Sequence, residues 1–112
     1  MSSFNKVILF GRLTRDPEIR QIGDGRSVIR FGLATNRKYT RNDNEAVEET
    51  TFVDCEMYGP RVDVLGKHTR KGARLLIEGR LKQDVWQDKE GNTKSKLIVV
   101  IENFEFVDAK PS

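Results

Sequence analysis

Residues 72–92, GARLLIEGRLKQDVWQDKEGN, constrain this chain more than any other stretch. Leu75, Ile77, Gly79 and Leu81 fall on one parity, while Glu78, Arg80, Lys82 and Trp86 fall on the other. Side chains along a strand alternate between its two faces. The spacing therefore predicts one long strand with a core face and a partly basic outer face that ends in tryptophan, leading into a polar turn over Asp88–Asn92. Gly79 in mid-strand predicts a bend or bulge of the kind a barrel strand needs at a corner. A bent strand that carries a large aromatic beside cations suits base stacking. The rest of the chain reads as a barrel built around it.

Taken in order, strands alternate with Gly, Asp and Asn punctuation. Residues 5–13 (NKVILFGRL) are a strand with apolar residues on both parities, Val7 and Leu9 against Ile8 and Phe10, so both faces are expected to be covered. Residues 14–24 read as turns, at Asp16-Pro17 and again at Gly23-Asp24-Gly25. Residues 27–36 (SVIRFGLATN) alternate cleanly and run on into Arg37, Lys38, Tyr39 and Arg41. The acidic stretch Asn42 to Glu49 reads as a long, mobile, solvated loop; a lesser reading is that it competes with nucleic acid for nearby cations. Residues 50–58 (TTFVDCEMY) are the third strand, with Val53, Cys55 and Met57 on one face and Phe52, Asp54, Glu56 and Tyr58 on the other. Residues 61–70 are the single helical candidate, opened by Pro60 and closed by Gly72. Residues 96–107 form the fifth strand. The fold class is thus all-β: a five-stranded OB-fold barrel with one short helix between strands 3 and 4, an architecture used for oligonucleotides and oligosaccharides.

Charge and residue counts narrow the partners. A chain of 112 residues has room for one domain with a real core. The net charge is +3, but Asn42–Glu49 holds four acids and no base, so the remainder carries +7. That is the footprint of a polyanion binder, although many basic proteins bind no polyanion. One cysteine excludes an internal disulfide and a multi-cysteine zinc site. His68 is the single histidine, so no catalytic group and no metal site can be assembled around it, and no cofactor is expected. It is expected to pack on or beside the helix, and Cys55 to be a buried inert thiol. Gly66-Lys67-His68 looks like the end of a phosphate loop but lacks its other positions. An Asp-Pro turn accounts for Asp16 more simply than a pair of carboxylates with Glu18. No apolar run approaches membrane length and the first residues hold no signal-like segment, so a cytoplasmic location is expected.

Four separated stretches, NKVILFGRLTRDPEIR, SVIRFGLATN, KGARLLIEGRL and WQDKEGN, resemble the bacterial single-stranded DNA-binding proteins of the homotetrameric OB-fold type. The likeness runs from Asn5 to about Phe106 in the family's order and spacing. It implies base stacking on Tyr39, Phe52, Tyr58 and Trp86, the first two of which are often tryptophan in the family. It also implies phosphate contacts from Arg20, Arg37, Arg70, Lys71 and Lys82, with Arg61 a looser match. Barrel packing for the aromatics and a solvated surface for the cations is the competing reading. The implied domain is residues 1–108, with 109–112 the start of a C-terminal tail or linker. The family usually continues to an acidic tip that recruits replication and repair enzymes, and this sequence stops at Ser112. Asp54 stands where relatives often carry a base, and Asp84-Val85 replaces basic residues before the tryptophan; both are expected to lower affinity.

The function this implies is sequence-tolerant binding and protection of single-stranded DNA in replication, recombination and repair, by a non-enzymatic homotetramer. Two alternatives stand beside it. One is a primosomal-type OB-fold adaptor that docks replication proteins, with nucleic-acid binding secondary. The other is a nuclease, for which no carboxylate cluster converges in the sequence. Stacking and phosphate contacts do not by themselves separate DNA from RNA.

Overall fold

The computed structural model describes residues 3–107; the tail expected at 109–112 lies outside the described residues. Chain order is β1 (Val7–Leu13), β2 (Glu18–Gln21), β3 (Ser27–Thr40), β4 (Ala46–Tyr58), α1 (Val62–Lys67), β5 (Arg74–Gln87) and β6 (Thr93–Phe106). Five strands follow one another as β1-β5-β6-β4-β3, and β3 returns to β1 through Arg12 opposite Ala34 and Leu13 opposite Leu33. β4 and β6 run parallel at Cys55 and Val99. This is the closed five-stranded barrel expected from the alternation, with its short helix between the third and fourth barrel strands.

Alternation builds the interior. Ile29, Phe31 and Leu33 of β3 face Met57, Cys55 and Val53 of β4, while Leu75 and Ile77 of β5 join Val99 and Ile101 of β6. Val62 and Leu65 of α1 complete the same core. Each such side chain stabilises the fold by roughly 1.5–3 kcal/mol through removal of apolar surface from water.

Gly79 marks the bulge that its position predicts. The β5–β6 register passes from Glu78 opposite Asn103 to Gly79 opposite Ile101, leaving Glu102 as the extra residue on β6. A Cβ on Gly79 would lie 2.0 Å from the Val100 carbonyl oxygen, so this backbone crossing admits only glycine. The extra residue also flips the parity of β6. Phe104 can therefore pack on the same core as Ile101 and Val99.

Five expectations need correction. Residues 14–24 are not turns throughout: β2 lines the edge of β3, with Ile19 opposite Ile29. Four exposed residues are too few to show a period, and pairing with β3 makes the strand. The second turn falls where expected, with Gly23, Asp24 and Gly25 all at positive φ. Next, β1 is covered on one face only, because no second layer lies outside the barrel in a single chain. Ile8 is 62% exposed and Phe10 49%, whereas Val7 and Leu9 pack on the core. Leu81 keeps the parity of Leu75 and Ile77 but is exposed, since the pairing of β5 with β1 ends at Gly79. The acidic loop is shorter than expected. β4 begins at Ala46, and Glu48 and Glu49 stand opposite Lys38 and Arg37, so cross-strand opposite charges extend the hairpin. The helix covers six residues rather than ten. Among the described residues, no helix is long and apolar enough to cross a membrane.

Candidate nucleic-acid interface

The outward parity of β3, β4, β5 and β6 forms one continuous face. On β4 it carries Phe52, Asp54, Glu56 and Tyr58, and on β3 it carries Val28, Arg30 and Ala34. β2 adds Arg20 opposite Val28, which is itself opposite Tyr58, and Glu18 opposite Arg30. On the far side, β5 contributes Lys82 opposite Ile98 and Trp86 opposite Lys94. Phe52, Tyr58 and Trp86 thus share a face, and none of them is buried; Phe52 is 70% exposed. Burial in a barrel core, the competing reading for these aromatics, does not describe them. Tyr39 is placed differently. It stands opposite Val47 on the core-facing parity of β3 and β4, beyond the barrel, where that parity also meets solvent. Local alternation therefore puts Tyr39 on the reverse of the arm from Phe52, with the Arg37 guanidinium 5.5 Å from its ring centroid.

The six cations suggested by sequence do not gather in one place. Arg20 lies on the aromatic face, paired with Glu18 at 3.4 Å. Lys82 lies there too, 3.7 Å from Glu56. Arg37 accompanies Tyr39 on the reverse side. Arg70 and Lys71 sit between α1 and β5, where the Lys71 amide donates to Asp16 Oδ1 at 2.8 Å. Arg61 clamps the end of β6: its guanidinium donates to the Glu102 carbonyl at 2.8 Å and to Asn103 Oδ1 at 3.1 Å, and lies over the Phe104 ring.

Three cations of this face escape the sequence reading. Arg30 was legible as an outward position of SVIRFGLATN, and Lys96 as part of the return strand, but neither position shows its neighbours. Arg30 Nε donates to Glu56 Oε2 at 3.2 Å. Lys96 Nζ donates to Asp54 Oδ2 at 2.6 Å and lies 5.7 Å from the centroid of the Trp86 ring. Arg15 Nη1 is 3.8 Å from Asp54 Oδ1.

Glu56 is only 5% exposed, and its carboxylate is held by Arg30, by Lys82 and by the Tyr58 hydroxyl, which donates at 3.0 Å. A buried charge is tolerable only with such partners. Desolvation opposes the charge on Arg30, yet hydrogen bonding and attraction from Glu56 and Tyr58 together hold its pKa above the ordinary value.

The remaining candidates behave as structural groups. Burial, aided by nearby Asp54, pushes the Cys55 thiol up to about 12, so it is inert at neutral pH. His68 Nδ1 lies 2.9 Å from the Val64 carbonyl of α1, and its ring packs on Phe106. Among the described residues, no three His, Cys, Asp or Glu side chains come together to hold a metal ion.

The chain is similar to known proteins in sequence and in fold. Residues 4–107 match the model of the single-strand binding protein family. A single-stranded DNA-binding protein of Helicobacter hepaticus is 38% identical over 109 residues, covering 97% of this chain and 64% of its own. One from Aquifex aeolicus is 39% identical over 104 residues, covering 93% and 70%. The structure of a Plasmodium falciparum SSB in complex with single-stranded DNA superposes with a TM-score of 0.86 at 28% identity, covering 96% of this chain and 98% of that one. The chain thus spans a little under two thirds of the Helicobacter protein. It belongs to the single-strand binding protein family.

Proposed function

We propose that this family member binds and protects single-stranded DNA without sequence preference, and does no chemistry on it. Bases stack on Phe52, Tyr58 and Trp86, and on Tyr39 where a strand passes to the reverse of the arm. Arg20, Arg37, Arg70, Lys71 and Lys82 hold phosphates, with Arg61 a lesser contributor because its donors already clamp β6. The observation that carries this reading is the single exposed face on which three aromatics stand among cations. An unpaired base stacked on such a ring is worth roughly 1–3 kcal/mol, with little dependence on which base it is. Duplex DNA keeps its bases stacked on one another and offers the rings nothing.

Assembly into a homotetramer belongs to the same reading. The uncovered Ile8 and Phe10 on β1 support it, since exposed apolar clusters favour self-association. In that assembly one strand wraps several weak sites, whose contacts multiply through effective concentration. Replication, recombination and repair are the processes that expose such strands.

Trp86 is the chain's single tryptophan, so its fluorescence reports the face directly. Titration with a long oligo-dT is expected to quench it strongly, and duplex of matched length to change it little. Trp86→Ala is expected to cost more affinity than any single Lys→Ala. Equal response to both nucleic acids, or an unchanged affinity in Trp86→Ala, defeats the stacking account; sedimentation of the same sample as a monomer removes the assembly.

A further inference from the structure

Five cations of the aromatic face are tied to carboxylates beside them. Arg20 pairs with Glu18 at 3.4 Å, Arg30 with Glu56 at 3.2 Å, and Lys82 with Glu56 at 3.7 Å. Lys96 and Arg15 converge on the two oxygens of Asp54, at 2.6 and 3.8 Å. The acids differ in character. Glu56 is buried and is part of the fold. The Asp54 side chain is 41% exposed and stands two residues from Phe52 on the same side of β4. It holds Lys96 near the Trp86 ring, so one carboxylate governs two cations beside two stacking surfaces.

We propose that Asp54 is an affinity-setting residue of the interface: an internal counterion that DNA phosphates must displace from Lys96 and Arg15. The inference rests on the single-strand-binding reading above. Its physics is ion exchange. When a free lysine meets a phosphate, condensed cations leave the nucleic acid, and the logarithm of affinity falls with the logarithm of salt concentration by about 0.7 per contact on single strands. When the lysine must first leave Asp54, the liberated carboxylate attracts a cation from solution, and that release is largely cancelled. The face therefore binds more weakly at low salt than its cation count implies, and loses less of its affinity as salt rises. Exposed ion pairs are individually weak, so the expected shift is modest but has two independent signs.

The test is titration with oligo-dT across a series of NaCl concentrations, on wild type, D54N, K96Q, D54N/K96Q and the net-charge control E105Q at the far end of β6. D54N is expected to bind about two- to fivefold more tightly at low salt. Its salt slope should steepen by about 0.7 for each cation freed. The gain should shrink on the K96Q background and be absent from E105Q. Unchanged affinity and slope in D54N overturn the proposal, as does an equal gain in E105Q or a gain undiminished by K96Q. Should D54N fail to fold, K96Q in the wild-type background decides: a slope change well under about 0.7 supports prior pairing, and a full 0.7 overturns it. A W86A protein that binds as wild type refutes the underlying reading instead, whatever D54N does.

Discussion

Phe31 and Phe52 stand on the same β3–β4 hairpin, three rungs of pairing apart, and share a side-chain chemistry. Phe31 faces Cys55 and is fully buried; Phe52 faces Ala34 from the opposite parity and is 70% exposed. The difference lies in which face the barrel has closed over. The inward parity near Phe31 meets Leu75, Ile77 and Val99 across the lumen, and its aromatic pays for folding. The outward parity is covered only in part: Val28, Ala34, Ile98 and Val100 are buried on it, whereas Phe52, Tyr58 and Trp86 retain surface that a stacked base can cover. The arms of β3–β4 and β5–β6 extend this contrast past the barrel, where both parities reach solvent. There Tyr39 keeps the inward parity without being buried.

Substitutions can break the comparison at decreasing cost. Phe31→Ala is expected to lose about 3–5 kcal/mol of stability in urea denaturation, because the barrel cannot collapse around the cavity. A loss below 1 kcal/mol would mean that the lumen is not the seat of stability. Gly79→Ala is expected to cost about 1–3 kcal/mol by the same measurement, since the new methyl meets the Val100 carbonyl rather than a movable side chain; an unchanged midpoint would show that the crossing can open. Phe52→Ala is expected to leave stability within about 0.5 kcal/mol. Its single-strand affinity should fall by about 1–3 kcal/mol, measured by titration with oligo-dT. If Phe52→Ala unfolds the protein as Phe31→Ala does, the division into a folding face and a binding face fails.

Much of this was legible in the residues. Leu75, Ile77 and Gly79 announced their strand, its core face and its bulge, because alternation is a local property and glycine in mid-strand has few other uses. Phe52 and Tyr58 were readable as one face of β4 by parity alone, and Trp86 as the end of the outer face of β5. β2 was not legible, because an edge strand of four exposed residues exists only through its pairing with β3. The exposure of Ile8 and Phe10 was not legible either. An apolar residue on both parities reads as burial on both sides, and only the barrel's curvature leaves one side bare. Tyr39 carries a familiar motif position, yet its side of the arm depends on register across the hairpin.

By itself the sequence determined the alternation, the glycines that permit sharp crossings, the lone thiol and histidine, and the common face of Phe52 and Tyr58 on their strand. These follow from short-range geometry, in which each residue needs only its neighbours along the chain. The tertiary structure decided which charges meet. Asp54 with Lys96, and Glu56 with Arg30 and Lys82, join residues from different strands. Their pairing depends on strand order and register, which electrostatics at a few ångströms can exploit but spacing along a single strand cannot encode.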